Sequence, residues 1–140
     1  MSAFSVKPPA WFWAVATAAL LWNLYGVYAY FVQVGMIGTM SDIERTLADA
    51  TPDWVTGAFA TAVFAGALGS LALLLRRGWA RFLLILSLIG AAIHQSWGLL
   101  VGGAGGNQGT AAIALPAAVI LIAIFLVWFS GHAYNRDWIV

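Results

Sequence analysis

The chain has 140 residues, 63% of them hydrophobic and only 8% charged, with a formal net charge of +1 and no cysteine. A soluble domain carries about 25% charged residues, and a small one leaves much of its surface in water, so an apolar excess of this size points to lipid as the solvent. Without a basic stripe nothing suggests nucleic acid, and without cysteine there are no disulfides, thiolate metal sites or thiol catalysis.

Four segments, about 11–34, 54–75, 79–100 and 111–132, are long and apolar enough to cross a hydrocarbon core of ~30 Å at a helical rise of ~1.5 Å per residue. Lys7 ahead of the first run resembles the start of a cleaved signal peptide, but the run continues far beyond a signal core. Between the first two spans, Ser41 and Glu44 have the spacing of a capping box, and Ile43 and Leu47 share one helical face. This predicts a short amphipathic helix over 42–50, resting on the outer membrane surface. Thr51, Pro52 and Asp53 then read as an N-cap, a proline at the first helical position and an acid at the positive end of the helix dipole.

The second span carries two rows of small residues at intervals of four: Gly57, Thr61, Ala65 and Gly69, and beside them Ala58, Ala62, Gly66 and Ser70. Small residues let helix backbones approach closely in a membrane, and two rows imply two neighbours and a central position. Gly90 and Ala91 offer a matching surface on the third span. Arg76, Arg77, Gly78 and Trp79 form a tight turn between spans two and three; VGGAGGNQGT joins spans three and four as a flexible loop. Pro116 either kinks the fourth helix or marks its first turn.

With four spans, Lys7, Arg76, Arg77, Arg81 and Arg136 all fall on one side, and Arg45 falls on the other with Asp42, Glu44, Asp49 and Asp53. The positive-inside rule places both termini in the cytoplasm. Trp11, Trp13, Trp54, Trp79, Trp128 and Trp138 fall near span ends, where indole rings anchor in the headgroup layer.

Polar side chains inside the spans are the candidates for a site. Counting the helical rise from the span ends puts Asn23, Thr61 and His94 in one layer, with Tyr25, Tyr28, Tyr30, Gln33, Gln95 and Ser96 as an outward vestibule. Such a layer is either interhelical glue or a binding site for a small polar solute or lipid. No carboxylate accompanies His94 within the membrane. No Ser/His/Asp set lies at one depth, and the acids of 42–53 match no calcium loop, so neither catalysis nor a metal is expected. His94 and His132 are separated by ~20 Å of helical rise, too far for one haem iron. No cofactor is expected, and a quinone- or haem-linked redox subunit rests on His94 alone.

The runs PPAWFWAVATAALLWNLYGVYAYFVQV, TPDWVTGAFATAVFAGALGSLALLLRRGWA and LLILSLIGAAIHQ resemble a family of small uncharacterised four-span inner-membrane proteins of proteobacteria, some labelled sugar transporters. In hydropathy the chain is also similar to DoxX-like membrane proteins. The resemblance implies a bacterial inner membrane and a single four-helix unit, and assigns no residue a role.

The expected fold is all-α: one domain, a four-helix membrane bundle with a short surface helix. The first functional expectation is a non-enzymatic protein acting through helix packing, as an accessory subunit of another membrane protein or a homo-oligomer surrounded by lipid. The second is a carrier or binding protein for a small solute or lipophile, centred on His94.

Overall fold

A computed structural model describes residues 6–100 and 111–140, without the side chains of Glu44, Leu47, Leu99, Leu100 and 111–115. The described residues form five helices and no strand: α1 (Ala10–Gln33), α2 (Asp42–Ala50), α3 (Asp53–Leu74), α4 (Ala80–Leu100) and α5 (Ala111–Asn135). All but α2 are long and apolar enough to span a membrane. Leu21, Leu68, Phe82, Ile89 and Leu121 are each more than half exposed, a surface that suits acyl chains and not water.

Helix ends follow local chemistry. α1 stops at Gly35, whose φ of 80° permits the reversed turn in which Gly35 N–H donates to Val32 O and Met36 N–H to Phe31 O. α3 ends in the same motif with Arg76 in the left-handed position, at φ 58°, as Arg76 N–H donates to Leu73 O and Arg77 N–H to Ala72 O. α5 ends likewise at Asp137, φ 59°. At the start of α3 the N-cap is Pro52 and not Thr51: its extended backbone turns the chain, and its carbonyl accepts from Val55 and Thr56 N–H. With ψ at 154° Pro52 itself lies outside the helical region, so the helix starts one residue later than the sequence suggests. The expected capping box of α2 involves Glu44, whose side chain lies outside the described residues; the backbone bond from Arg45 N–H to Ser41 O is present. Pro116 sits inside α5, not at its start.

Because lipid removes the hydrophobic drive between helices, close packing and polar contacts must hold the bundle together. α3 is central, packed against α1 on one side and α4 on the other, and α5 packs against α4. Ala58, Ala62, Ala65, Gly66, Gly69 and Ser70 are all buried along α3. Gly90 lies so close to α3 that an added Cβ would stand 2.7 Å from Ala58 O and 2.9 Å from Ala62 N. Ser87 Oγ donates to Ala62 O at 2.6 Å just below this crossing. Gly57 departs from the expected row: it is exposed, and nothing lies within 4 Å of an added Cβ.

The ends of the bundle differ. At one end α1 and α5 meet through aromatic rings, with Phe12 stacked 5.7 Å from Phe129 and Trp11 edge-on to Phe129 at 5.6 Å. His132 packs there against Trp128, Trp138 and Trp11. Trp138 is thus a packing residue, 9% exposed, whereas Trp11, Trp54, Trp79 and Trp128 are exposed near helix ends. The same end gathers the chain's extremities. Arg76 Nε donates to Trp138 O at 2.7 Å and its Nη2 donates to Val6 O, while Gly78 N–H donates to Val140 O and Val140 N–H to Arg76 O. The residues before α1, the α3–α4 turn and the residues after α5 therefore share one face of the membrane, as four crossings require.

Candidate functional site: an intramembrane cavity

Away from the aromatic end, α1 and α5 have little backbone contact, and a cavity of about 310 Å³ lies between the four long helices. Small ligand sites begin at about this size. α1 contributes Trp22, Asn23, Tyr25, Gly26 and Ala29; α3 contributes Phe59, Ala62 and Val63. α4 presents Leu84, Ser87, Ala91, His94 and Gln95, positions that repeat on one helical face, and α5 closes the ring from Pro116 to Leu126. Toward the aromatic end the cavity stops on Leu84 and Leu126, 2% and 4% exposed, which pack into one cluster with Phe12 and Phe129.

Of the polar groups in this wall, Asn23 and Ser87 bond to their own or neighbouring helices. Asn23 Nδ2 donates to Ala19 O at 2.8 Å and to Ser70 Oγ at 3.3 Å, tying α1 to α3. Its Oδ1 lies against Gly66, where an added Cβ would be only 2.0 Å away. Ser87 is committed to Ala62 O. These groups are interhelical glue at the base of the cavity. His94 and Gln95, in contrast, make no hydrogen bond to any described residue. The His94 ring packs on Phe59 with centroids 4.4 Å apart. The upper wall therefore carries an imidazole and an amide available to a ligand.

The single layer of Asn23, Thr61 and His94 does not form. Asn23 and Ser87 both abut Gly66, whereas His94 stands about two turns, or ~10 Å, beyond Ser87 toward the other end of the bundle. Counting rise from span ends treats every helix as starting in one plane. Yet Asn23, ~20 Å into α1, lies level with Ser87, only ~10 Å into α4. Thr61 is not in the lining; its Oγ1 donates to Gly57 O of its own helix at 2.9 Å, and it faces outward with Gly57. Of the expected vestibule only Tyr25 and Gln95 line the cavity. Tyr28 packs on Tyr25, Tyr30 packs on Phe59 and Phe64, and Gln33 and Ser96 lie elsewhere. His132, in its tryptophan cluster, takes no part in the site.

Ser87 and Phe59 were not singled out from the sequence. Ser87 carried a usable signal: it lies seven residues before His94, two turns down the same face of α4, and is polar within an apolar run. Phe59 carried none, because an aromatic residue in an apolar span is ordinary. Among the described residues no three His, Asp or Glu side chains converge as a metal site. Compared with known proteins, the chain matches no family model, no curated protein and no solved structure.

Proposed function

We propose that this multi-pass membrane protein binds a small lipophilic molecule within the bilayer, without catalysis, using the cavity walled by His94, Gln95 and Tyr25. The observation that carries the proposal is the cavity itself. It lies between the four long helices, it is mostly apolar, and its lining includes His94 and Gln95, which make no hydrogen bond to any described residue. Intramembrane ionisable and polar residues are costly unless they serve a purpose, which supports a ligand role for His94. A charged solute finds no counter-charge in the lining, so a lipophile suits the wall better than a sugar or an ion. The helix-packing role draws less support. Ala62, Ala65, Gly66 and Gly69 are already buried within the bundle, and Gly57 and Thr61 are what remains of the row for a second chain.

We place the protein in a bacterial inner membrane with the arginine turn and both termini in the cytoplasm, supported by the charge asymmetry and by the resemblance noted above. The test is extraction. Protein purified in mild detergent is expected to release a molecule in organic solvent that Ala123→Phe, which fills the cavity, releases in much reduced amount. Equal release from both proteins, each folded by circular dichroism and gel filtration, would refute the cavity as a binding site.

A further inference from the structure

The seam between α4 and α5, near the arginine turn, carries a second site on the outer surface of the bundle. We propose that Arg81, lying over Gly131, seats the phosphate of an anionic phospholipid, whose acyl chains follow the apolar groove between the two helices. This inference stands apart from the cavity and holds whether or not the cavity is occupied.

A missing side chain builds the seat. Gly131 of α5 stands so close to Arg81 of α4 that an added Cβ would lie 3.7 Å from Cζ, 3.8 Å from Nε and 3.9 Å from Nη2. The guanidinium of one helix thus rests on the bare backbone of the other. A Cβ alone would only touch it, whereas a longer side chain would take its place. Arg81 is exposed, and its guanidinium makes no hydrogen bond or ion pair with a described residue. Its N–H donors are open to an acceptor from outside the chain. The planar fork of an arginine matches two oxygens of one phosphate, and its weak hydration lowers the cost of that contact.

The surroundings select a lipid. Ile85 lies one turn from Arg81 along α4, and Trp128 and Ile124 lie one and two turns from Gly131 along α5. All three are more than a third exposed, and Phe82, next to Arg81, is 68% exposed. An unpartnered charge at the helix end, with an apolar lane leading from it along the span, matches a molecule whose head sits at the membrane boundary and whose chains lie in the bilayer. The sign of the head follows from the neighbouring charges. Lys7, Arg76, Arg77 and Arg136 share this end of the bundle, and Asp137 is the acidic side chain among them. That field attracts a headgroup of net negative charge and opposes the ammonium of a zwitterionic one; basic pockets between helices on this side of a membrane hold anionic heads in the same way.

Native mass spectrometry of the full-length protein in neutral detergent tests this, with dioleoyl-phosphatidylglycerol and dioleoyl-phosphatidylcholine added separately at equal concentration. Each variant is first shown to keep the helicity of the parent. The expected result is a one-to-one phosphatidylglycerol adduct that Arg81→Gln weakens about tenfold, the loss of a charge-assisted contact. Arg136→Gln, the same charge change at the same end, should weaken it by less than about twofold, as for a screened, more distant charge. Gly131→Leu keeps every charge but displaces the guanidinium, and should match Arg81→Gln. Equal binding of the two lipids by the parent overturns the anionic head. Equal losses in Arg81→Gln and Arg136→Gln overturn the site in favour of a diffuse surface field, and this pair decides the matter even where Gly131→Leu does not fold. A folded Gly131→Leu that binds like the parent overturns the seat on Gly131. Displacement of the lipid by inorganic phosphate at equal concentration overturns the lipid as occupant.

Discussion

Gly90→Ala is the sharpest test of how the bundle is held. The added Cβ would meet Ala58 O at 2.7 Å and Ala62 N at 2.9 Å, both backbone atoms that cannot rotate away. Ordinary contact begins at 3.4 Å, so α3 and α4 must part by roughly 0.7 Å at their crossing, which forfeits roughly a quarter to a half of the dispersion attraction of the surrounding contacts. Overpacking of this kind costs about 1–3 kcal/mol. Replacing a helical glycine returns about 1 kcal/mol of backbone propensity, leaving a net loss of about 1 kcal/mol, with about 2 kcal/mol at the upper end. Gly57→Ala is the matched control: the same chemical change on an exposed face, with nothing within 4 Å, is expected to be neutral or slightly stabilising. Titrating dodecylsulfate into maltoside micelles and following helicity reads both. Gly90→Ala should unfold at a clearly lower detergent fraction than the parent, and Gly57→Ala at an equal or higher one. Equal midpoints for the two variants would refute close backbone approach as the basis of the α3–α4 contact.

Two further outcomes follow from the same structure. Asn23→Ala is expected to cost about 0.6–2 kcal/mol through the lost bond to Ser70. Gly66→Ala drives a Cβ to within 2.0 Å of the Asn23 amide, so the double variant should be more stable than the sum of the single losses, a coupling readable in a double-mutant cycle by the same titration. Topology is readable by cysteine labelling, since the chain has no cysteine of its own. Asp49→Cys should react with an impermeant maleimide added to intact cells, and Trp79→Cys only after permeabilisation; the reverse pattern would invert the orientation.

Much of the fold was written in the sequence because lipid imposes simple rules. Apolar length alone announced the four crossings, and the alternating charge of the connections announced that both ends of the chain share a face with the arginine turn. Two small rows, one of them through Ala58, Ala62, Gly66 and Ser70, implied a central α3, and α3 packs between α1 and α4. The neighbouring row was only half informative, since Ala65 and Gly69 are buried while Gly57 is exposed and Thr61 is half-buried. A helix carries small residues for more than one reason, and their spacing does not say which face meets a neighbour. The site was legible in part. His94, Gln95, Tyr25 and Asn23 stood out as polar groups in an apolar run, and all four line the cavity. Their relative depth was not legible, because it depends on where each helix sits in the bundle. The cavity itself could not be foreseen. It exists because α1 and α5 touch at their aromatic end and diverge beyond it, a relation between helices with most of the chain between them.

The aromatic and aliphatic floor beneath the cavity has a consequence for the membrane as an insulator. Phe12, Phe129, Leu84 and Leu126 are at most 4% exposed, and the nearby Ser130 hydroxyl turns back to Val127 O on its own helix. Among the described residues no row of polar groups crosses that layer for a file of water to follow. A proton or ion crossing at this level would have to shed its hydration among apolar side chains, with only the committed Ser130 hydroxyl nearby.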